Sequence, residues 1–424
     1  MQIIERFDFF PLTFDDQGKP KSRQELDALI EGANSSPATD AILIAHGFRN
    51  DAADATSLYT GFLKTFRAQL SRPEFQGVAG RRFVVAGVYW PSKPFREAFD
   101  DGAEAGGTRG LHDGGQAMAG AKAQLEDLRD DASPAARAKL EKAVKLLPTL
   151  EGDAKAQDEF VALVLSLLEH PTLDTTEGLP QIQKQSGSEV LTRLSAPAAD
   201  GTRGIGNVFG TIAGGVGQFL NLTTWYVMKD RSGNVGATGM AQAVRALHAS
   251  RPSIRIHLVG HSLGGRLMAS CAKALCDPPK LQPDSLTLLE AAFSHFGFSA
   301  NNGHGTPGFF RDVITKQIVR GPLVSTFSAQ DTVVARAYSI MSRLAGDNTR
   351  EIGDASDEFG GIGRNGPLKT TEVATSRLHS PGTAYDYKVG VINNLDGSGG
   401  LIKNHSDVTN DAVTYAFASA VART

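Results

Sequence analysis

Short apolar runs recur along the chain, and turn residues bound each of them. Three are rich in β-branched residues, namely AILIAHGF (41–48), RFVVAGVYWPS (82–92) and IRIHLVGHS (254–262). Runs of this length and composition are typical of buried β-strands. The apolar positions between the first two runs recur instead at helical spacing: Leu58, Phe62, Phe66 and Leu70. A helix that joins two strands implies a parallel crossover connection.

The same alternation continues after the third run. One further helix and two further strands are predicted, at 264–276, 285–293 and 321–334. Repeated β-α alternation of this kind predicts an α/β fold with a doubly wound, mostly parallel sheet.

The stretch between the second and third strands is far longer than the roughly 30 residues of a βαβ unit. Its amphipathic segments predict a helical cap insertion over 95–235, so that residues 1–94 and 236–424 form the core. A polar, glycine-rich segment at 343–384 is expected to be a flexible insertion within that core.

The balance of charges excludes some classes of protein. The 424 residues include 43 Lys and Arg against 46 Asp and Glu, a formal net charge of −3. Such a chain lacks the large positive field of a typical nucleic-acid binder. Its two cysteines, Cys271 and Cys276, are too few for a disulfide scaffold or a thiolate-built metal site. We expect no metal, no organic cofactor and a small-molecule partner.

The amino-terminal sequence MQIIERFDFFPLTFDD contains no apolar run of the length of a secretory signal core. The default expectation is therefore a cytoplasmic protein, with export by another route left open. The longest uncharged apolar stretch, 204–228, is interrupted by glycines, and we interpret it as a mobile flap rather than a membrane span. Contact with a lipid surface stays open, and the oligomeric state is not determined.

One sequence motif indicates a catalytic site. The string LVGHSLGGR (258–266) contains G-x-S-x-G as Gly260, His261, Ser262, Leu263 and Gly264, between a predicted strand and a predicted helix. At a sharp strand-to-helix turn a serine hydroxyl projects from the sheet edge, and side chains two residues away on either side would collide. The context predicts a nucleophilic Ser262, with a purely structural turn as the alternative.

On this motif the chain resembles the α/β-hydrolase superfamily, and GHSLGG (260–265) is similar to the version found in lipases and esterases. The resemblance covers most of 40–340 and the C-terminal segment, but not 95–235. It implies a nucleophile, an acid and a histidine in that chain order, together with an oxyanion hole that two loops share.

A serine hydroxyl needs a base to act as a nucleophile at neutral pH. By the resemblance, the base is His405, in the loop GGLIKNHSDVTN before the final predicted helix. A surface-loop histidine is the alternative interpretation. Three other histidines are held in reserve: His379, His295 and His304.

The acid is expected to follow a strand and to orient the histidine. Asp331 fits, because LVSTFSAQD is an apolar strand that runs into a polar turn. A helix cap is the alternative role for Asp331. Other candidate acids are Asp354, Asp357 and Glu290.

The oxyanion hole requires two backbone donors. We expect one from Leu263, directly after the nucleophile, and one from Phe48, because IAHGF (44–48) matches the His-Gly element of the superfamily at His46 and Gly47. A plain turn would also explain that pair.

These observations predict a serine hydrolase that cleaves carboxylic esters through a Ser-His-Asp triad and an acyl-enzyme. The alternatives are a lipase or phospholipase at a membrane surface, a peptidase or thioesterase, and an inactive hydrolase-like binding or scaffolding protein. The same constellation serves several of these reactions, so the triad alone does not select the substrate.

Overall fold

The computed structural model describes residues 1–35, 38–48, 50–92, 114–130, 134–168, 177–195, 211–303, 305–345 and 355–424. Nine strands form one sheet in the described residues: β1 Gln2–Ile4, β2 Phe7–Thr13, β3 Asp40–Ala45, β4 Phe83–Tyr89, β5 Arg255–His261, β6 Ser285–Leu289, β7 Leu323–Phe327, β8 Val373–Arg377 and β9 Ile392–Asp396. Their order across the sheet is β1-β2-β4-β3-β5-β6-β7-β9-β8.

The sheet is mostly parallel. Only the pair of β1 and β2 is antiparallel among the described strands, and all other neighbouring strands run parallel. The predicted α/β class with a mostly parallel sheet is confirmed. All six residues of β3 are buried, which explains why its sequence is an unbroken apolar run after Asp40. In register, Ala45 of β3 pairs with Val88 of β4 and with Gly260 of β5, so these strands end at one edge of the sheet.

The chain divides into two compact units. Unit 1 comprises Met1–Lys93, Lys229–Val334 and Gly361–Thr424, and unit 2 comprises Pro94–Met228 and Ala335–Gly360. The segment 343–384, predicted from the sequence to be one insertion in the core, is divided between the units, because Gly360 ends a segment of unit 2 and Gly361 begins a segment of unit 1. The latter segment also contains β8.

Unit 1 contains the sheet and eight of the described helices: α1 Arg23–Ser35, α2 Ala52–Leu70, α3 Gln76–Ala79, α10 Ala241–Ser250, α11 Leu263–Ala274, α12 Arg311–Thr315, α14 Ile362–Asn365 and α15 Asp411–Ala422. A π-helical segment, Val235–Met240, directly precedes α10. The helices of unit 2 are α4 Gly114–Asp130, α5 Pro134–Leu146, α6 Ala154–Leu165, α7 Leu179–Gln183 and α8 Gly187–Ser195. Two more helices have residues in both units: α9 Ile212–Asn234 and α13 Thr332–Ala345.

Aromatic side chains fix α2, which contains the helical spacing predicted from Leu58 to Leu70, against α15. Phe62 and Phe66 lie 5.2 Å and 5.0 Å, ring centre to ring centre, from Phe417 of α15. The Thr65 hydroxyl donates to the Thr409 carbonyl at 2.9 Å, just before α15 begins. These contacts place the loop that leads into α15, and this loop contains His405.

The interpretation of 204–228 as a mobile flap is wrong for its described part, because most of the residues from 211 onward belong to α9. Five apolar side chains of that helix are buried: Val216, Phe219, Leu220, Leu222 and Trp225. The Tyr226 hydroxyl in the same helix donates to the Glu177 carbonyl at 2.5 Å. No helix in the described part of the chain is long and apolar enough to cross a membrane.

Candidate active site

Ser262 is the single residue between β5, which ends at His261, and α11, which begins at Leu263. Its φ of +58° and ψ of −124° lie in a region that residues other than glycine rarely adopt. Two backbone hydrogen bonds hold this turn to the end of β6. The Ser262 amide donates to the Leu289 carbonyl at 3.0 Å, and the Ala292 amide donates to the Ser262 carbonyl at 3.0 Å.

Glycines are required on both sides of the turn. A Cβ on Gly260 would lie 2.2 Å from the Gly264 carbonyl oxygen. A Cβ on Gly264 would lie 2.3 Å from the carbonyl oxygen of Ala45, at the end of β3. Both obstacles are backbone atoms, which cannot move away as a flexible side chain could. The two small residues therefore allow β5, α11 and the end of β3 to approach one another.

Ser262, His405 and Asp331 form a continuous hydrogen-bonded series. His405 Nε2 lies 2.8 Å from Ser262 Oγ, and His405 Nδ1 lies 2.8 Å from Asp331 Oδ2. Because an ionised carboxylate only accepts, Nδ1 donates to Asp331, and Nε2 is left to accept the Ser262 hydroxyl proton. Asp331 is fully buried, whereas His405 is 9% exposed. The three residues lie far apart in sequence, and the fold brings them together.

Asp331 has two roles at once. Its Oδ2 accepts the hydrogen bond from His405, and its Oδ1 accepts one from the Val334 amide at 2.9 Å, at the start of α13. The helix cap and the histidine partner, which the sequence analysis treated as alternatives, are therefore both present. The two donors fix the plane of the carboxylate.

The loop after β3 abuts the serine. A Cβ on Gly47 would lie 2.6 Å from Ser262 Cβ, so the backbone there touches the serine side chain. The neighbouring His46 ring stacks on Trp90 at 5.6 Å between ring centres, and Trp90 Nε1 donates to the His46 carbonyl at 3.1 Å. The Tyr59 hydroxyl accepts from the His46 amide at 3.0 Å. Burial lowers the pKa of His46 to about 4, so its ring is neutral at neutral pH.

The two expected oxyanion donors, the amides of Leu263 and Phe48, have different surroundings. The Leu263 amide is the first of α11 and donates to no acceptor among the residues that the structure describes. An amide at a helix start is well placed to stabilise negative charge. Phe48 directly follows Gly47 and is partly buried. It therefore lies next to the backbone that contacts Ser262.

His261 contacts the histidine of the series rather than the serine beside it. His261 Nε2 donates to the His405 carbonyl at 2.7 Å, and the two ring centres are 4.8 Å apart. Burial and the nearby charge of His405 lower the pKa of His261 to about 3. Its ring is therefore neutral over the physiological range.

The reserve histidines lie elsewhere. His295 Nδ1 is 3.1 Å from the Asn365 side-chain nitrogen, and His379 packs its ring against Tyr385 at 5.4 Å. His304 lies outside the described residues.

Among the reserve acids, Glu290 is fully buried after the last residue of β6 and is not the partner of His405. Asp357 belongs to unit 2, and Asp354 lies outside the described residues.

Sequence reasoning missed two supports of the site, Tyr59 and the contact of His261 with His405, and it left the role of Trp90 open. Helical spacing alone marks Tyr59 as a core residue, and its hydroxyl gave no separate signal. Trp90 closes the predicted strand at 82–92, where packing explains it equally well. The partner of His261 lies 144 positions further along the chain, beyond the reach of any local pattern.

No cluster of three or more His, Cys, Asp or Glu side chains suited to a metal ion occurs within the described ranges. Comparison of the chain with protein-family models, with curated proteins and with solved structures gave no match.

Proposed function

We propose that this protein is a serine hydrolase of the α/β-hydrolase fold that cleaves carboxylic esters, with the helical insertion predicted over 95–235 as a cap that restricts the substrate. The observation that carries the proposal is the series from Ser262 through His405 to Asp331, in which both hydrogen bonds measure 2.8 Å. The strained serine turn supports it, because strained backbone at a polar residue is typical of functional sites.

In the proposed reaction, Ser262 Oγ bonds to the acyl carbon while its proton passes to His405 Nε2. The carbonyl electron pair moves to the oxygen, and a tetrahedral intermediate forms. Its collapse breaks the bond to the leaving alcohol, which takes the proton from His405 and departs. Asp331 keeps Nδ1 protonated throughout and stabilises the imidazolium. The product of this half-reaction is an acyl-enzyme at Ser262.

The oxyanion of the tetrahedral intermediate needs donors that are already in place. We assign this role to the amides of Leu263 and Phe48. The Leu263 amide has no competing acceptor among the described residues, so no hydrogen bond has to break before it can bind the oxyanion. The loop of His46 and Gly47, held by Trp90, supports the Phe48 amide.

The proposal is tested with p-nitrophenyl esters from acetyl to palmitoyl. We expect Ser262→Ala and His405→Ala each to lower kcat/KM by about 10⁴-fold or more, because the two residues act as a unit. A matched control is Ser270→Ala on the same helix, where the serine is buried and its hydroxyl has no partner in the described chain. This control is expected to retain activity.

The acyl-length series separates a short-chain esterase from a lipase, whose activity would rise towards long chains. A fluorophosphonate probe is expected to modify Ser262 and to fail on Ser262→Ala. A wild-type protein that neither hydrolyses any ester nor reacts with the probe would contradict the proposal and favour the scaffolding alternative.

A further inference from the structure

The main chain of His405 is held by the imidazole of His261. Within the described part of the chain, the bond from His261 Nε2 to the His405 carbonyl is the one hydrogen bond that the His405 main chain makes. The rest of the loop has other supports, such as the bond from the Ser328 hydroxyl to the Ile402 carbonyl at 2.9 Å, but none of them reaches the main chain of His405. The bond from His261 is therefore the direct hydrogen bond between the serine turn and the main chain of His405.

The donor is fixed in one protonation state. His261 is buried, and its pKa is lowered to about 3 by burial and by the charge of His405. Since Nε2 donates to a carbonyl, the neutral ring carries its proton there. Its Nδ1 is buried with no partner in the described residues. The ring remains a neutral donor to the carbonyl when His405 gains and loses its proton.

His405 has three anchors in the resting site. Asp331 holds Nδ1, the Ser262 hydroxyl holds Nε2, and His261 holds the carbonyl. Acylation removes one of these anchors, because Ser262 Oγ is then bonded to the acyl carbon and has no proton to donate. Deacylation therefore starts with the His405 side chain held at Nδ1 and its main chain held by His261.

We infer that His261 is a positioning residue that keeps His405 in place in the acyl-enzyme. The inference rests on the proposed function. In the step concerned, a water oxygen bonds to the acyl carbon while its proton passes to His405 Nε2. The bond from the acyl carbon to Ser262 Oγ then breaks, Oγ takes the proton back from His405, and a carboxylic acid leaves. This step requires His405 Nε2 to hold a water beside the acyl carbon, on the side from which the alcohol has departed.

The test compares acylation and deacylation rates in wild type, His261→Leu and His261→Gln by stopped-flow hydrolysis of p-nitrophenyl butyrate. In the Leu variant we expect deacylation to fall roughly tenfold to a hundredfold, because small displacements of a catalytic group have effects of that size. Acylation is expected to change less than about threefold, since the hydroxyl of Ser262 still holds His405. An acyl adduct on Ser262 should then accumulate, visible by intact mass.

The Gln variant is the matched control. Its amide nitrogen stands as many bonds from Cβ as Nε2 of histidine, so it is expected to restore most of the deacylation rate. If the Leu variant does not fold, His261→Asn replaces it, because its amide is one bond shorter and does not reach the carbonyl. Folding of each variant is checked by near-ultraviolet circular dichroism.

Equal slowing of both steps would show a general structural role and would overturn the inference, as would unchanged deacylation. Failure of the fluorophosphonate probe to modify Ser262 in wild type would instead refute the proposed function itself. The two failures are therefore distinguishable.

Discussion

Glu290 makes the stability of the protein depend on pH in a direction opposite to that of a salt-bridged carboxylate. The residue follows β6 with φ of +43° and is fully buried. Burial and the negative charge of Asp331 raise the pKa of Glu290 well above its ordinary value of 4.5. Asp396 and Asp407 act in the same direction. The folded protein therefore keeps a proton that the unfolded chain releases.

The sign and the size of the effect follow from linkage. A carboxyl whose pKa is raised by folding contributes stability below pH 4.5, and this contribution is lost as pH rises towards the folded-state pKa. The loss is about 1.4 kcal/mol for each pH unit between the two pKa values. Glu290→Gln removes the titration but keeps the shape of the neutral acid. We expect the variant to gain stability over wild type at this slope as pH rises.

The assay is urea unfolding of both proteins at pH 5, 6, 7 and 8, with the difference in unfolding free energy plotted against pH. Glu372→Gln is the matched control. The bidentate hydrogen bonds from Arg311 lower the pKa of Glu372 to about 2, so its stability contribution is lost only as pH falls below 4.5. The control difference is expected to stay constant over the measured range. A difference for Glu290→Gln that is also constant would refute the reasoning.

Two further predictions concern the framework of the site. Gly264→Ala places a Cβ 2.3 Å from the Ala45 carbonyl oxygen, so we expect the free energy of unfolding in urea to fall by about 2 kcal/mol or more. The matched control is Gly217→Ala in α9, where a Cβ would meet nothing within 4 Å. This control is expected to raise the free energy of unfolding by up to about 1 kcal/mol. A stable Gly264→Ala protein would contradict the close approach. Asp40→Asn weakens bonds to His257 at 3.0 Å and Arg81 at 3.2 Å, and should lower the unfolding free energy by about 1–3 kcal/mol. An unchanged urea midpoint would show that these bonds contribute little.

The central strands could be predicted because they are buried on both faces. β3, β4 and β5 are nearly continuous apolar runs, and each produces a strong local signal. The outer strands produce only a weak local signal. β8, at one edge of the sheet, has the sequence VATSR with no buried residue, and the sequence analysis placed it in a polar insertion. β1 has only three residues and β2 contains Asp8 and Pro11, and neither strand was recognised.

Glycine content misled the interpretation of 204–228. Glycine has a low intrinsic helix propensity, and this favoured a flap over a helix. The described part is nevertheless helical, because at Gly215 the backbone comes close to its neighbours. A Cβ there would lie 2.3 Å from the Leu191 carbonyl oxygen in α8. Tertiary packing therefore outweighs local propensity, and packing is not visible in a single sequence.

The residues of the site also differ in how clearly the sequence alone marks them. Ser262 was marked by its own neighbours, and Asp331 by the end of a strand, whereas His405 depended on a resemblance. The sequence ranks Asp331 first because a polar turn follows its strand, although Glu290 also follows a buried strand. The structure separates them by their contact with the base: Asp331 accepts from His405, while Glu290 makes no hydrogen bond to His405 in the described chain.

The two carboxyl groups also differ in what their surroundings do to them. Burial and the negative charge of Asp331 raise the pKa of Glu290, so Glu290 keeps its proton at pH values where an exposed glutamate has released it. A protonated Glu290 adds no negative charge to this buried region. Asp331 Oδ2, which lies 2.8 Å from His405 Nδ1, is therefore the carboxyl oxygen placed to interact with the imidazolium that forms on His405.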